Sequence, residues 1–178
     1  MEMYLIVELL EMKTKVLEIF NVQTVEELTN ALMRCVNDND TEKMQSFEQL
    51  VNGDLSKDWL QIIYQYYLAD RKEKKQDFTP KCLATFLNLL VGEADTIVDM
   101  CAGSGALTIQ RWNMNQEQRF LLFEIDETVI PYLLFNLAVR NISAVVKQGD
   151  VLQSETVRQW RVVKGGKYGY GSCIEPSL

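Results

Sequence analysis

The stretch VDMCAGSGALTIQ, residues 98–110, constrains the fold of this chain more than any other. An apolar run meets an aspartate, breaks at two glycines spaced G-x-G, and resumes with helix-compatible residues, which predicts a strand, a tight turn and a helix. Glycines at such a turn let the backbone bend sharply and let a ligand come close without a Cβ in the way. The surrounding segments repeat the alternation. TIVDM is a buried strand and ALTIQRW a helix start; RFLLFEI is a second strand, ETVIPYLLFNLAVRN a second helix despite Pro131, and SAVVKQGDV a third strand. Strand and helix alternating at this spacing predict an α/β fold, a parallel sheet with crossover helices. A ligand then belongs at the carboxyl ends of the strands.

The chain before this region is read as wholly helical. MYLIVELLEMKTKVLEIF places Leu5, Leu9, Met12, Val16 and Ile19 or Phe20 on one stripe. Thr24 with Glu27 forms a capping box for a second helix, Asp40 or Thr41 caps a third that Gly53 stops, and Ser56 precedes a fourth, KDWLQIIYQYYLADRKEK. Residues 1–75 are therefore expected to form a helical amino-terminal lobe, and residues 76–178 a partial α/β domain. The aromatic residues Trp59, Tyr64, Tyr66 and Tyr67 are assigned to the core of the lobe, and RKEKK at 71–75 to a solvated helix end. In QDFTPKCLATFLNLLVGEA, Thr79 is the expected N-cap of a further helix and Pro80 its first residue.

Composition limits the chemistry. The chain has 178 residues, 47% of them apolar, enough to build a buried core. It contains no histidine, and its four cysteines (Cys35, Cys82, Cys101, Cys173) form no C-x-x-C pair. A zinc site, a disulfide framework and Ser-His or Cys-His nucleophile chemistry are thus not expected, and the cysteines are read as buried free thiols. A net charge of −7 argues against tight nucleic-acid binding by the chain alone. No apolar run approaches the roughly 20 residues of a membrane span, which makes the cytoplasm the expected location.

Acidic residues fall at the ends of the three strands: Asp99, Glu124 with Asp126, and Asp150. Gly103 and Gly105 are placed to face the polar end of a ligand. Glu124, a strand-end carboxylate expected to lie outside the core, is placed to grip ribose hydroxyls, and Ile125 to cover one face of an adenine. Asp150 can accept from the adenine amino group while Val151 packs the other face. A dinucleotide fits less well. Thr108 stands where the third glycine of G-x-G-x-x-G belongs, and Asp99 would repel a pyrophosphate but attract a cationic methionine moiety. S-adenosyl-L-methionine (SAM) fits these charges.

Over roughly residues 60–155 the sequence resembles the SAM-dependent adenine-N6 DNA methyltransferases, particularly the modification subunits of type I restriction-modification systems. DFTP (77–80) is similar to the family's F-T-P opening of a helix that touches the methionine end of the cofactor, which implies that role for Phe78, Thr79 and Pro80. DMCAGSGAL (99–107) resembles the D-P-A-C-G-S-G turn, with Met100 in place of proline and alanine and cysteine exchanged; Asp99, Cys101, Ala102, Gly103 and Gly105 are the implied cofactor contacts. FEID, NLAVRNI and GDVL follow in the family's order, implying ribose contacts for Glu124, Ile125 and Asp126 and adenine contacts for Asp150 and Val151. The implied fold is a Rossmann-like SAM-methyltransferase domain with an incomplete sheet, preceded by the helical lobe.

One part of the family pattern is missing. The N-P-P-Y or N-P-P-F segment that holds the flipped adenine has no counterpart, and EPSL at 175–178 offers only Glu175 and Pro176, with no aromatic face for the base. The resemblance therefore implies a DNA methyltransferase, or a fragment of one, that is inactive alone and reaches adenine in duplex DNA with another chain. The alternative is a catalytically silent cofactor-binding or assembly module. A sheet of three or four strands also leaves an open edge, to be covered by a second copy, a specificity-type subunit or other partner, or a hairpin from Trp160–Leu178; self-association is the favoured cover.

Overall fold

The computed structural model describes residues 2–69, 79 and 81–174, without the side chains of residues 2–7 and 81. Seven helices and five strands are present among them. Four helices come first: α1 (Glu2–Phe20), α2 (Val25–Asn37), α3 (Thr41–Leu50) and α4 (Trp59–Tyr67). Then follow α5 (Lys81–Val91), β1 (Thr96–Asp99), α6 (Ala106–Met114), β2 (Arg119–Glu124), α7 (Ile130–Val139) and β3 (Ala144–Gln148), and finally β4 (Arg158–Val163) and β5 (Tyr170–Ile174).

Local chemistry sets most helix ends. The Thr24 hydroxyl accepts from the Glu27 N–H at 3.2 Å, while the Glu27 carboxylate accepts from the Gln23 N–H at 2.8 Å, so two orphan donors of α2 are satisfied. Asp40, rather than Thr41, caps α3 through the Lys43 N–H at 3.1 Å. Gly53, at φ +73°, ends that helix by donating its N–H to the Glu48 carbonyl at 2.8 Å. The fourth helix starts at Asp58 and not at Ser56: Asp58 Oδ1 accepts from the N–H groups of Leu60 (3.2 Å) and Gln61 (2.9 Å). Ser56 is instead held in the preceding turn, where its hydroxyl and N–H both donate to Asp54 Oδ1.

The sheet order is β1-β2-β3-β4-β5. β1, β2 and β3 are parallel, as the strand–helix alternation requires, but β4 and β5 join antiparallel. The expectation of a parallel sheet is corrected to a mixed one. The links 149–157 and 164–169 are both too short to carry a crossover helix, so β4 returns antiparallel alongside β3 and β5 alongside β4. The segment from Trp160 thus takes part in the hairpin that covers the β3 edge. TIVDM, expected as a buried strand, is instead the other edge: among the described residues β1 pairs only with β2, and Val98 is half exposed.

Helix α7 organises the core. All ten of its residues are buried, because it lies between the sheet and the helical lobe. The Phe135 ring meets Phe20 at 5.4 Å and Phe47 at 5.1 Å edge-on, and Tyr132 meets Tyr64 at 5.1 Å. Burying each such side chain contributes roughly 1.5–3 kcal/mol. One hydrophobic core consequently runs from Val16 of α1 to Val162 of β4 and joins the helical lobe to the sheet. The boundary expected at residues 75/76 lies outside the described residues, as does the RKEKK run.

Two expectations about the core are corrected. Tyr64 is buried, but Tyr66 is exposed, because it lies on the solvent side of α4, two residues from Tyr64. Among the cysteines only Cys35 is buried; Cys82, Cys101 and Cys173 are exposed, since α5, the glycine turn and β5 each leave a face uncovered. Burial, followed by the nearby Asp40 carboxylate, pushes the Cys35 thiol up to about 12. No described helix is long and apolar enough to cross a membrane.

Candidate functional site

Because β1, β2 and β3 run parallel, their carboxyl ends lie side by side; Asp99 pairs with Leu122, and Glu124 with Gln148. Asp99 closes β1 and its Oδ1 accepts from the Cys101 N–H at 3.1 Å. The chain then crosses towards β2, where the Ala102 N–H donates to the Phe123 carbonyl at 2.9 Å. Gly103 (φ +55°) and Gly105 (φ +102°) take the left-handed conformations that reverse it. Gly105 begins α6 with its N–H on the Ala102 carbonyl at 2.9 Å, and a Cβ there would stand 3.0 Å from Leu133 Cδ1.

Glu124 binds this turn to β2. Its Oε2 accepts from the Gly103 N–H at 2.7 Å and its Oε1 from the Asp126 N–H at 2.8 Å. The residue is 9% exposed, so the carboxylate expected to lie outside the core is buried; the turn folds over it. Burial pushes its carboxyl above the usual range, and the two backbone N–H bonds pull it partly back. The Gly103 N–H is accordingly spent on Glu124, and what the two glycines leave open to a ligand is space.

Asp126 faces the helical lobe. Its Oδ1 accepts from the Thr128 N–H (3.0 Å) and hydroxyl (2.8 Å), and its Oδ2 from the Tyr64 hydroxyl at 3.3 Å. Between the two acids Ile125 is 64% exposed, an apolar surface at the strand end. At β3, Asp150 is taken up by its own turn, with Oδ1 on the Leu152 N–H (2.9 Å) and Oδ2 on the Gln153 side chain (2.7 Å). The Gln153 bond, with the Leu152 N–H behind it, holds its carboxyl below the usual range. Val151 is half-buried in the same turn, and Ala102 is buried beneath the glycines.

Asp99 differs from its neighbours. Its Oδ2 is buried and meets no hydrogen-bond donor among the described residues, and burial pushes its carboxyl up. An orphaned carboxylate oxygen at the end of β1 and an exposed isoleucine at the end of the neighbouring β2 suit a ligand that brings a cation or hydroxyl donors together with a flat apolar group, and disfavour a pyrophosphate. Thr79 is half-buried ahead of α5; Phe78, Pro80, Glu175 and Pro176 lie outside the described residues. Among the described residues no group of three or more metal-ligating side chains converges. A surface cavity near the amino end of β1, lined by Asn88, Gly92, Glu93, Arg111 and Met114, contains none of the strand-end acids.

A family model described as N-6 DNA methylase matches residues 55–164, more than half of the 178 residues. The chain belongs to the N-6 DNA methylase family. No individual curated protein and no solved structure matches it. The family match begins three residues before Asp58 and ends just after β4, so it takes in the start of α4, the glycine turn and all three parallel strands.

A polar group in this N-6 DNA methylase domain was missed from the sequence. Asn136 lies buried in the middle of α7, with its side-chain amide between Asp58 and the glycine turn. A signal was present: Asn136 is the only polar side chain other than Tyr132 in IPYLLFNLAV, and a polar residue inside a helix buried on all sides needs partners.

Proposed function

We propose that this chain binds SAM at the carboxyl ends of β1, β2 and β3, in a Rossmann-like arrangement, and is the cofactor-binding part of an adenine-N6 DNA methyltransferase. The supporting observation is the meeting of the β1 glycine turn with Glu124 at the end of β2, beside the unpartnered Asp99 oxygen. Asp99 Oδ2 supplies negative charge for the cationic methionine end. Glu124 keeps lone pairs, beyond those given to Gly103 and Asp126, for two ribose hydroxyls. Ile125 and Val151 cover the adenine, and Asp150 reaches its amino group once its Gln153 contact is released. Thr79 borders the methionine end, the role that the resemblance implies for Phe78 and Pro80 as well. SAM, when bound, supplies an electrophilic methyl group on a sulfonium. The contribution of these residues is to fix the direction of that methyl group, a gain from positioning and not from a strong base.

In this reading the acceptor is adenine in duplex DNA, engaged together with another chain, and the setting is the cytoplasm. The sequence contains no N-P-P-Y or N-P-P-F segment to hold a flipped base. That observation favours one second reading, a catalytically silent cofactor-binding or assembly module of a DNA-modification system.

Thermal denaturation with S-adenosylhomocysteine, SAM and NAD tests the cofactor. At about 100 times its dissociation constant a ligand adds roughly 2.7 kcal/mol of stability, so both sulfur ligands should raise the melting temperature and NAD should not. Equal shifts with all three would remove the assignment. Tritiated-methyl incorporation into unmethylated genomic DNA separates the two readings. The isolated chain should transfer none, and transfer on adding a second chain would establish the methyltransferase.

A further inference from the structure

The glycine turn is fastened from two sides. Glu124 holds it at Gly103, and on the far side the buried Asn136 side chain donates through Nδ2 to the Ser104 carbonyl at 2.9 Å. The same Nδ2 donates to Asp58 Oδ1, also at 2.9 Å, and Asp58 is the N-cap of α4 in the helical lobe. Arg140, one turn along α7, donates through Nη1 to Asn136 Oδ1 at 2.8 Å, which fixes the amide with its nitrogen towards Asp58 and Ser104. The rest of the guanidinium is bound to the lobe, Nε to the Leu55 carbonyl at 2.8 Å and Nη2 to the Lys57 carbonyl at 2.6 Å. A continuous chain of hydrogen bonds therefore runs from the lobe, through one amide, to the backbone of the residue between the two glycines.

Such an arrangement costs the fold a buried carboxylate and a buried guanidinium. Burial pushes the Asp58 carboxyl up, against the pull of the Ser104 hydroxyl, Arg140 and Asn136. Asp58 Oδ2 and Ser104 Oγ are both buried without a well-formed hydrogen bond. Apolar packing would hold α4 on α7 without this cost, as Tyr64 and Tyr132 already do. What apolar packing cannot do is orient a carbonyl in a left-handed turn, and the amide does that.

We propose that Asn136 and Asp58 are positioning residues for the glycine turn, so that docking of the helical lobe and closure of the cofactor loop are one event. The proposal takes the turn as the cofactor loop, and so rests on the reading above. The lobe is then part of the cofactor site without touching the cofactor.

The test compares the full chain with Asn136→Ala and with Leu137→Ala, which removes a neighbouring buried apolar side chain of α7. Amide hydrogen exchange is measured without ligand, and S-adenosylhomocysteine affinity by calorimetry well below the melting temperature. In Asn136→Ala the amides of Gly103 and Gly105 should exchange at least about tenfold faster relative to those of Leu122 and Val146, and affinity should fall at least about fivefold. Leu137→Ala should leave that exchange ratio, and affinity within about twofold, unchanged. Uniform acceleration, or a turn as protected as in the parent, would overturn the proposal. If Asn136→Ala does not fold, Asp58→Ser takes its place, because serine still caps α4 but is too short to reach Asn136. Failure of the parent chain to bind S-adenosylhomocysteine would instead overturn the cofactor reading, and the exchange ratio alone would then decide the positioning role.

Discussion

Glu124 Oε2 accepts the Gly103 N–H at 2.7 Å, joining the end of β2 to the turn after β1 across 21 residues of sequence. A backbone donor inside a left-handed turn has no partner in regular secondary structure, and a carboxylate at a neighbouring strand end is well placed to satisfy it. With its other oxygen on the Asp126 N–H, Glu124 closes both the β1–α6 and the β2–α7 turns. One side chain thus shapes the floor of the cleft and also offers charge to a ligand.

Replacing Glu124 by alanine should for this reason affect more than the ligand. The Gly103 and Asp126 N–H groups would be left in a buried site, and each unsatisfied donor costs about 1–3 kcal/mol, offset in part by removal of a buried charge. Glu124→Ala should lower unfolding free energy by urea denaturation, while Glu124→Gln, which keeps one acceptor, should fold better yet weaken S-adenosylhomocysteine by about 1–3 kcal/mol. Parent-like stability of the alanine variant would mean that solvent satisfies both donors.

Gly105→Ala should destabilise the fold through the backbone. At φ +102° the residue lies outside the comfortable left-handed region for any side chain, and the new Cβ would press on Leu133 Cδ1 at 3.0 Å. Strain of this kind costs about 1–3 kcal/mol. Gly53→Ala, also at positive φ but with open space around the added carbon, should cost less. Denaturation midpoints measured side by side check the ordering; equal losses would show that the turn shifts freely.

The cap at Thr24, the glycine turn and the three parallel strands were legible because each is encoded within a few residues. The cap at Asp58 was not. Ser56 is an equally good capping type two residues earlier, but its N–H and hydroxyl are taken by Asp54, while Asp58 is also held by Asn136, 78 residues away. Glu124 was placed outside the core for the same reason: a strand-end acid is ordinarily exposed, and only the closing of Gly103 over it, a contact between two separate turns, buries it. The antiparallel return of β4 was hidden in RQWRVV, where Trp160 and Val162 point inward between polar residues. A short amphipathic strand does not state its direction; the length of the connection does. The sequence allowed a hairpin there without requiring one.

Stability should depend on pH in two opposed windows. Asp58, Asp99 and Glu124 are all held above the ordinary carboxylate range by burial. Between the ordinary value, about 4, and their raised values the folded protein keeps protons that the unfolded chain has released, so stability falls as pH rises through that interval. Asp40, bonded by Lys43, and Asp54, bonded by Ser56, are held below the range, and their contribution is lost as pH falls through their lowered values. The melting temperature should therefore rise as pH falls through the raised values towards the ordinary value of about 4, and drop as pH falls further. Asp99→Asn should flatten the part of that slope lying above the ordinary carboxylate value of about 4. An unaltered slope in that variant would place the dependence elsewhere.

Cys101 provides a reporter inside the cleft that needs no substitution. It is exposed on the turn between Asp99 and Gly103, with its N–H held by Asp99 Oδ1. Partial burial, then the carboxylates of Asp99 and Glu124, push its thiol up, so the reactive thiolate is scarce at neutral pH. Iodoacetamide should modify Cys101 more slowly than the exposed Cys173, with a rate that climbs steeply with pH, and should leave the buried Cys35 intact while the protein is folded. If a cofactor lies over the turn, saturating S-adenosylhomocysteine should slow alkylation of Cys101 by more than about tenfold and leave Cys173, on β5 at the far edge of the sheet, unaffected. Peptide mass spectrometry after timed quenching gives each rate separately. Protection of both cysteines would indicate general stiffening of the fold, and protection of neither would place any bound ligand away from the glycine turn.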